Sequence, residues 1–206
     1  MTPDSTDTSQ IPFGQEILRK ATHIGALVIP GGYWILGLSR AEMLAAMIPI
    51  TMIFVLFDVG RLRNWLIWRK IAGPIFDNMI RNHEKADFTG ATYILLTTCA
   101  TVAMFPKPIA VAALAFIIIG DTLAALVGRR WGRHKWFGTK SIEGSLACLA
   151  GLVVVAHFTP NLPLAVGLIG AVVATLVEAL PFHIDDNVTV PIISGLVMLL
   201  VWRLLG

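Results

Sequence analysis

The sequence predicts an all-α, polytopic integral membrane protein with about seven transmembrane helices and one interfacial helix on the cytoplasmic side. Two observations carry this. Hydrophobic residues make up 56% of the 206 positions against 14% charged ones, and they gather in runs long enough to bridge a bilayer. The charges fall mainly in short stretches between those runs. Residues 16–206 read as a single transmembrane domain behind a disordered tail, 1–15. The polar start, Met1 to Gln10, lacks the basic head, apolar core and small-residue cleavage site of a signal peptide.

A helix needs roughly 20 apolar residues to cross the hydrocarbon, or about 17 at the short end. Runs near that length lie at 21–38, 41–58, 90–106, 108–128, 144–159, 162–180 and 190–205. The first contains Pro30-Gly31-Gly32, which signals a kink because proline lacks the N–H that a helix interior uses. Between the second and third, Trp65, Trp68, Ala72, Ile75, Phe76 and Met79 recur at three- and four-residue spacing among basic residues, the pattern of an interfacial helix broken near Gly73-Pro74. From the fourth into the loop that follows it, Gly120, Ala124, Gly128 and Gly132 step every four residues, a stripe that lets a backbone or a ligand approach closely. The fifth is short and is introduced by Thr139-Lys140-Ser141-Ile142-Glu143-Gly144-Ser145. The sixth contains Glu178 near its end, and an acidic turn leads to the seventh. Cys99 and Cys148 lie inside apolar runs without a second ligand at metal spacing, so they read as packing residues.

With seven spans, one side of the membrane receives Arg19, Lys20, Arg61, Arg63, Arg69, Lys70, Arg81, Lys85, Arg129, Arg130, Arg133, Lys135 and Lys140. The other receives only Arg40, Lys107 and Arg203. Positive charge marks the cytoplasmic side, so the N-terminus is expected inside and the C-terminus outside. The basic excess, 16 Lys and Arg against 13 Asp and Glu, lies in short loops, which favours phosphate ligands and lipid headgroups over nucleic acid. The polar clusters at 16–23, 82–90, after Asp121 and at 178–187 all fall on the same cytoplasmic face, as one site would.

Asp121 sits inside an apolar helix, where an ionised group costs at least ~2.5–3.5 kcal/mol, so it marks a candidate functional site. The start of the fifth span offers Lys140, the hydroxyls of Ser141 and Ser145, and Gly144 at a helix N-terminus, where a phosphate can meet backbone N–H groups; helix capping by Ser141 is the plainer alternative. The stretch from Glu178 through Asp185, Asp186 and Asn187 places three carboxylates and an amide around a turn without any lysine or arginine to neutralise them, a donor set suited to Mg²⁺. Bases for phosphates and carboxylates for magnesium on one face point to phosphoryl or nucleotidyl transfer. No GxxxxGK(S/T) loop or protein-kinase signature is present. A small transporter or scaffold, whose carboxylates bind an ion, would also be expected to line the outer half of the bundle with charge, and that half is nearly bare.

Four segments resemble the CTP-dependent lipid-alcohol kinases, the group of dolichol kinase, phytol kinase and CTP-dependent diacylglycerol kinase. They are Arg19-Lys20-x-x-His23; Glu84 with Thr89-Gly90-Ala91-Thr92-Tyr93; Gly120-Asp121-x-x-Ala124-Ala125-x-x-Gly128-Arg129-x-x-Gly132 with Lys140-Ser141-x-Glu143-Gly144-Ser145; and Glu178 with Asp186-Asn187-x-Thr189-x-Pro191. The resemblance implies a kinase moving the γ-phosphate of CTP, with Mg²⁺, to the hydroxyl of a polyprenol, phytol-like alcohol or diacylglycerol. It implies that Asp121, Glu178 and Asp186 hold metal or orient the hydroxyl, with Asp185 a further metal candidate. Lys140, Arg129 and Arg130 would grip phosphates, and Arg19, Lys20 and His23 would close the site. Gly128, Gly132, Ser141, Glu143, Gly144, Ser145 and Asn187 would line the nucleotide site, and Glu84, Thr89 and Gly90 would lie near the substrate. The chain departs from the family in doubling Asp185-Asp186, in placing His183 where a small residue is expected, and in lacking the extra spans of larger dolichol kinases. A cytidylyltransferase joining CMP to a lipid phosphate would use the same ion and nucleotide.

Overall fold

The computed structural model describes residues 20–66, 87–138, 140–181 and 184–205. Among the described residues, seven helices run as α1 Val28–Ile35, α2 Arg40–Leu62, α3 Gly90–Met104, α4 Lys107–Trp131, α5 Ile142–Phe158, α6 Leu164–Ala179 and α7 Asp186–Leu205. A short helical segment, 20–25, precedes α1. α2, α4 and α7 are long and apolar enough to cross a membrane, while α3, α5 and α6 are apolar but shorter. Apart from Trp65 and Leu66, the interfacial helix expected from Trp65 to Met79 lies outside the described residues, as do Arg19, Glu84 and His183.

The break in the first run falls one turn earlier than Pro30-Gly31-Gly32. Proline at position 30 cannot donate to the carbonyl four residues back, at Ala26, and its ring crowds that turn. The chain tightens there instead: the N–H groups of Ala26 and Leu27 donate to His23 and Ile24 three residues back, at 3.0 and 2.9 Å. Pro30 then sits in the first turn of α1, where its missing N–H costs nothing. α7 begins four residues before the expected 190, because Asp185 caps it: the Asp185 carboxylate accepts the Asn187 N–H at 2.8 Å. One feature departs from an all-helical fold. The loop after α4 forms a small antiparallel ladder, β1 Lys135–Phe137 with β2 Lys140–Ser141, turning through Gly138 at φ 55°.

α4 is the most enclosed of the long helices, with Ile109 through Ile118 buried, as befits a segment apolar on every face. Its glycine stripe packs against α5 running antiparallel. Gly120 faces Cys148 and Leu152, and Gly128 faces Ser141 and Gly144. The chain continues as a sequence of antiparallel neighbours: Gly167 of α6 meets Ala156 of α5, and Gly170 meets Met198 of α7. Small residues at each crossing let the backbones approach where lipid offers no hydrophobic drive for association.

At the end of the bundle where α1 stops and α2 starts, two cations are tied down. Lys107 donates to the Leu38 carbonyl at 2.7 Å and lies 4.6 Å from the centre of the Tyr33 ring. Arg40 donates to the Phe105 carbonyl at 3.1 Å, and Ser39 and Glu42 form a capping box at the start of α2.

A carbon added at Gly144 would stand 2.8 Å from the Ala124 carbonyl oxygen and 3.2 Å from the Gly128 Cα, and neither backbone atom can swing aside. Gly144→Leu is therefore expected to destabilise the protein by about 1–3 kcal/mol or more, read as a fall in the thermal unfolding midpoint in detergent.

Candidate active site

Four separate parts of the chain bring ionised groups to the opposite end of the bundle. Asp121 lies on α4, ten residues before its end. The Lys20 ammonium, 1% exposed, stands 2.5 Å from Asp121 Oδ2 and donates to the Asp121 carbonyl at 3.0 Å. His23, one turn further along, places Nε2 3.4 Å from the same carboxylate oxygen. The segment 20–25 is thereby held to the middle of α4 by charge.

Lys140 makes the second junction. The hairpin carries it to the acidic turn between α6 and α7, where its ammonium binds Glu178 Oε1 and lies 3.3 Å from Asp186 Oδ2. Glu178 is 3% exposed near the end of α6, so the lysine supplies the partner that an ionised group there requires. This corrects the expectation of an acidic turn free of basic neighbours: the base arrives from the hairpin rather than from the turn. Burial pulls the Lys140 ammonium down, but Glu178, Asp186 and the more remote Asp121 outweigh it and hold the group above its ordinary lysine range. The influence of Asp121 on Lys140 ties the two junctions into one electrostatic unit.

The carboxylates suit a hard cation. Glu178 Oε2 is buried with no hydrogen-bond partner among the described residues, and Asp121 and Asp186 are 24% and 32% exposed. Their all-oxygen donor set fits Mg²⁺, which is commonly held by one or two carboxylates with substrate phosphates and water completing its shell. Among the described residues, no three His, Cys, Asp or Glu side chains already stand grouped for a metal.

Other expected site residues have local roles. Ser141 Oγ accepts the Gly144 N–H at 3.2 Å, the capping arrangement, and Ser145 is buried one turn into α5. Gly128, Gly132 and Gly144 are spent on the close crossing of α4 and α5 around Ser141. Glu143 bonds His134 at 2.7 Å across the mouth of the hairpin. Asp185, expected among the metal ligands, caps α7 through Oδ1, which also accepts the Asn187 Nδ2 donor at 2.7 Å. Arg129 and Arg130 are exposed at the end of α4, about 12 Å along the helix axis from Asp121.

Sequence reasoning missed a buried pair. Asp58, 0% exposed, accepts from Arg61 Nε at 3.2 Å and from the Thr89 N–H and hydroxyl at 2.8 and 3.0 Å. Arg61 also donates to the Asp87 carbonyl, and the Tyr93 hydroxyl donates to the Asp87 carboxylate at 2.8 Å. Thr89 and Gly90, expected near the substrate, thus cap and open α3. An acid three residues before an arginine at the end of an apolar run was the available signal.

The chain is 32% identical over 213 residues to a probable chloroplastic phytol kinase 2 of Oryza sativa subsp. japonica, covering 92% of this chain and 67% of that protein. It is 28% identical to a CTP-dependent diacylglycerol kinase 1 of Schizosaccharomyces pombe, covering 90% of this chain and 93% of that one. An uncharacterised protein of Rickettsia prowazekii is 31% identical over 87% of this chain and 91% of its own length. No protein-family model and no solved structure matches the chain.

Lys140→Met leaves Glu178 buried without its ammonium. The expected loss of stability is less than the ~3–5 kcal/mol of breaking a fully buried pair, because the Lys140 side chain is 33% exposed. Lys140→Met combined with Glu178→Gln should recover most of it. Thermal unfolding of the two single variants and the double variant measures this, and strictly additive losses would show that the groups do not interact.

Proposed function

The chain belongs to the family of CTP-dependent lipid kinases, and on that premise we propose that it transfers the γ-phosphate of CTP to the hydroxyl of a membrane lipid alcohol. The observation that carries the reading is the convergence of Asp121, Glu178 and Asp186 with Lys20, His23 and Lys140 from four parts of the chain at one end of an apolar bundle. Ion clusters are costly beside a bilayer and are retained where a reaction uses them.

In this reading the lipid oxygen bonds to the γ-phosphorus, the bond from that phosphorus to the β–γ bridging oxygen breaks, and CDP leaves. One of the carboxylates Asp121, Glu178 and Asp186 takes the hydroxyl proton. Lys140 turns its ammonium to the phosphates, with Arg129 and Arg130 reaching the outer part of the triphosphate and Arg19, Lys20 and His23 closing over the site. Mg²⁺ carried in with CTP would be held by Asp121, Asp186 and Glu178, and would neutralise phosphate charge. Catalysis is then mainly positioning and charge stabilisation, as for phosphoryl transfer in general. Seven crossings, with the site and N-terminus in the cytoplasm and the C-terminus outside, accord with the placement of the basic residues.

The deciding experiment offers CTP labelled at the γ- or the α-phosphate, with Mg²⁺, to purified protein in mixed micelles containing lipid alcohols and lipid phosphates. Label from the γ position is expected on the lipid; label from the α position would make the protein a cytidylyltransferase. Asp121→Asn and Lys140→Ala are each expected to lower kcat at least about 10²-fold while the protein inserts and purifies normally. Retained turnover in either variant would remove that residue from the mechanism.

A further inference from the structure

Each carboxylate suited to Mg²⁺ is already held by an ammonium of this chain. Lys20 stands 2.5 Å from Asp121 Oδ2. Lys140 binds Glu178 Oε1 and lies 3.3 Å from Asp186 Oδ2, so one ammonium stands between acids from two different helices. Three carboxylates and two ammoniums, with His23 neutral, leave a single negative charge to attract a free dication.

The two lysines differ in freedom. Lys20 is 1% exposed and also donates to the Asp121 carbonyl, so it is fixed from two directions. Lys140 is 33% exposed and stands on a two-stranded hairpin that turns at Gly138, so its flexible stem can carry the ammonium outward. A lysine and a divalent cation both seek carboxylate oxygens, and where they are brought to the same pair of acids they repel each other.

We propose that Lys140 is a resident counter-ion that competes with a divalent cation for Glu178 and Asp186, so that metal reaches both acids only when a phosphate draws the ammonium away. The inference rests on the kinase reading for the source of that phosphate, CTP; the competition itself involves only the lysine, the acids and the cation. The exchange keeps every buried charge paired: the ammonium passes from carboxylates to phosphate as the metal takes its place, and Glu178 is never left alone in an apolar setting. Metal therefore enters together with nucleotide, and free metal is held weakly.

The test titrates the purified full chain in detergent with Mn²⁺, without nucleotide, and follows the free ion by electron paramagnetic resonance. Lys140→Gln is expected to bind Mn²⁺ at least about tenfold more tightly than wild type, because one nearby positive charge is gone. Lys140→Arg keeps the charge and is expected to match wild type, and adding Glu178→Gln to Lys140→Gln is expected to abolish the gain. A Lys140→Gln protein that unfolds cooperatively yet binds Mn²⁺ no better than wild type would overturn the proposal. A second measurement needs no variant: Mg²⁺ alone is expected to leave the thermal unfolding midpoint of wild type unchanged, whereas Mg²⁺ with CTP raises it. Equal stabilisation by Mg²⁺ alone would equally sink the counter-ion. Transfer of γ-label by wild type, measured alongside, separates the two readings. Transfer without a gain of Mn²⁺ affinity in Lys140→Gln keeps the kinase and removes the counter-ion; a gain without transfer to any lipid does the reverse.

Discussion

An ammonium between two carboxylates organises the polar end of this molecule. Lys140 reaches Glu178 at the end of α6 and Asp186 at the start of α7, and it stands on a hairpin that leaves α4 and enters α5. One side chain therefore links four helices at the point where their ends must stay together. The environment makes the link matter. Glu178 is buried among apolar helices, where an unpaired charge is expensive, so hairpin, acidic turn and α6 cannot separate without exposing that cost. Lys20 does the same for the N-terminal segment, whose attachment to α4 runs through the Asp121 carboxylate and carbonyl.

The close crossing of α4 and α5 makes the geometry possible. Glycines at 128 and 144 bring the two backbones together beside Ser141, which sets the hairpin down near the acidic turn. At the other end, Lys107 and Arg40 are satisfied by carbonyls and aromatic faces instead of carboxylates. The two ends thus differ in kind: one holds these cations by neutral groups, the other holds its cations by acids. The Asp58 and Arg61 pair adds a third anchor, tying the end of α2 to the cap of α3.

Much of the candidate site was legible in the chain. Asp121 and Glu178 stand out as acids within apolar runs, and Lys20, His23, Lys140 and Asp186 fall in polar clusters that one topology puts on the same face. What the chain did not reveal is which charges meet. Lys140 and Glu178 are 38 residues apart, and their pairing depends on three helix crossings. Asp185 and Asp186 look equivalent as sequence, yet one is turned into a helix cap and the other toward the lysine. Arg61 counted only as a topological charge until Asp58 was found beside it in the bundle.

The order and apolar character of the helices follow from the sequence alone, because the run of apolar residues sets helix length and a helix satisfies its own backbone wherever water is absent. The fine breaks do not. Proline at 30 announced a discontinuity, but the turn before it took up the strain. The ion pairs and the capping of α3 and α7 were decided only by tertiary structure. Charge and hydrogen bonding act over a few ångströms in space, and only the packed small-residue crossings determine which distant residues come that close.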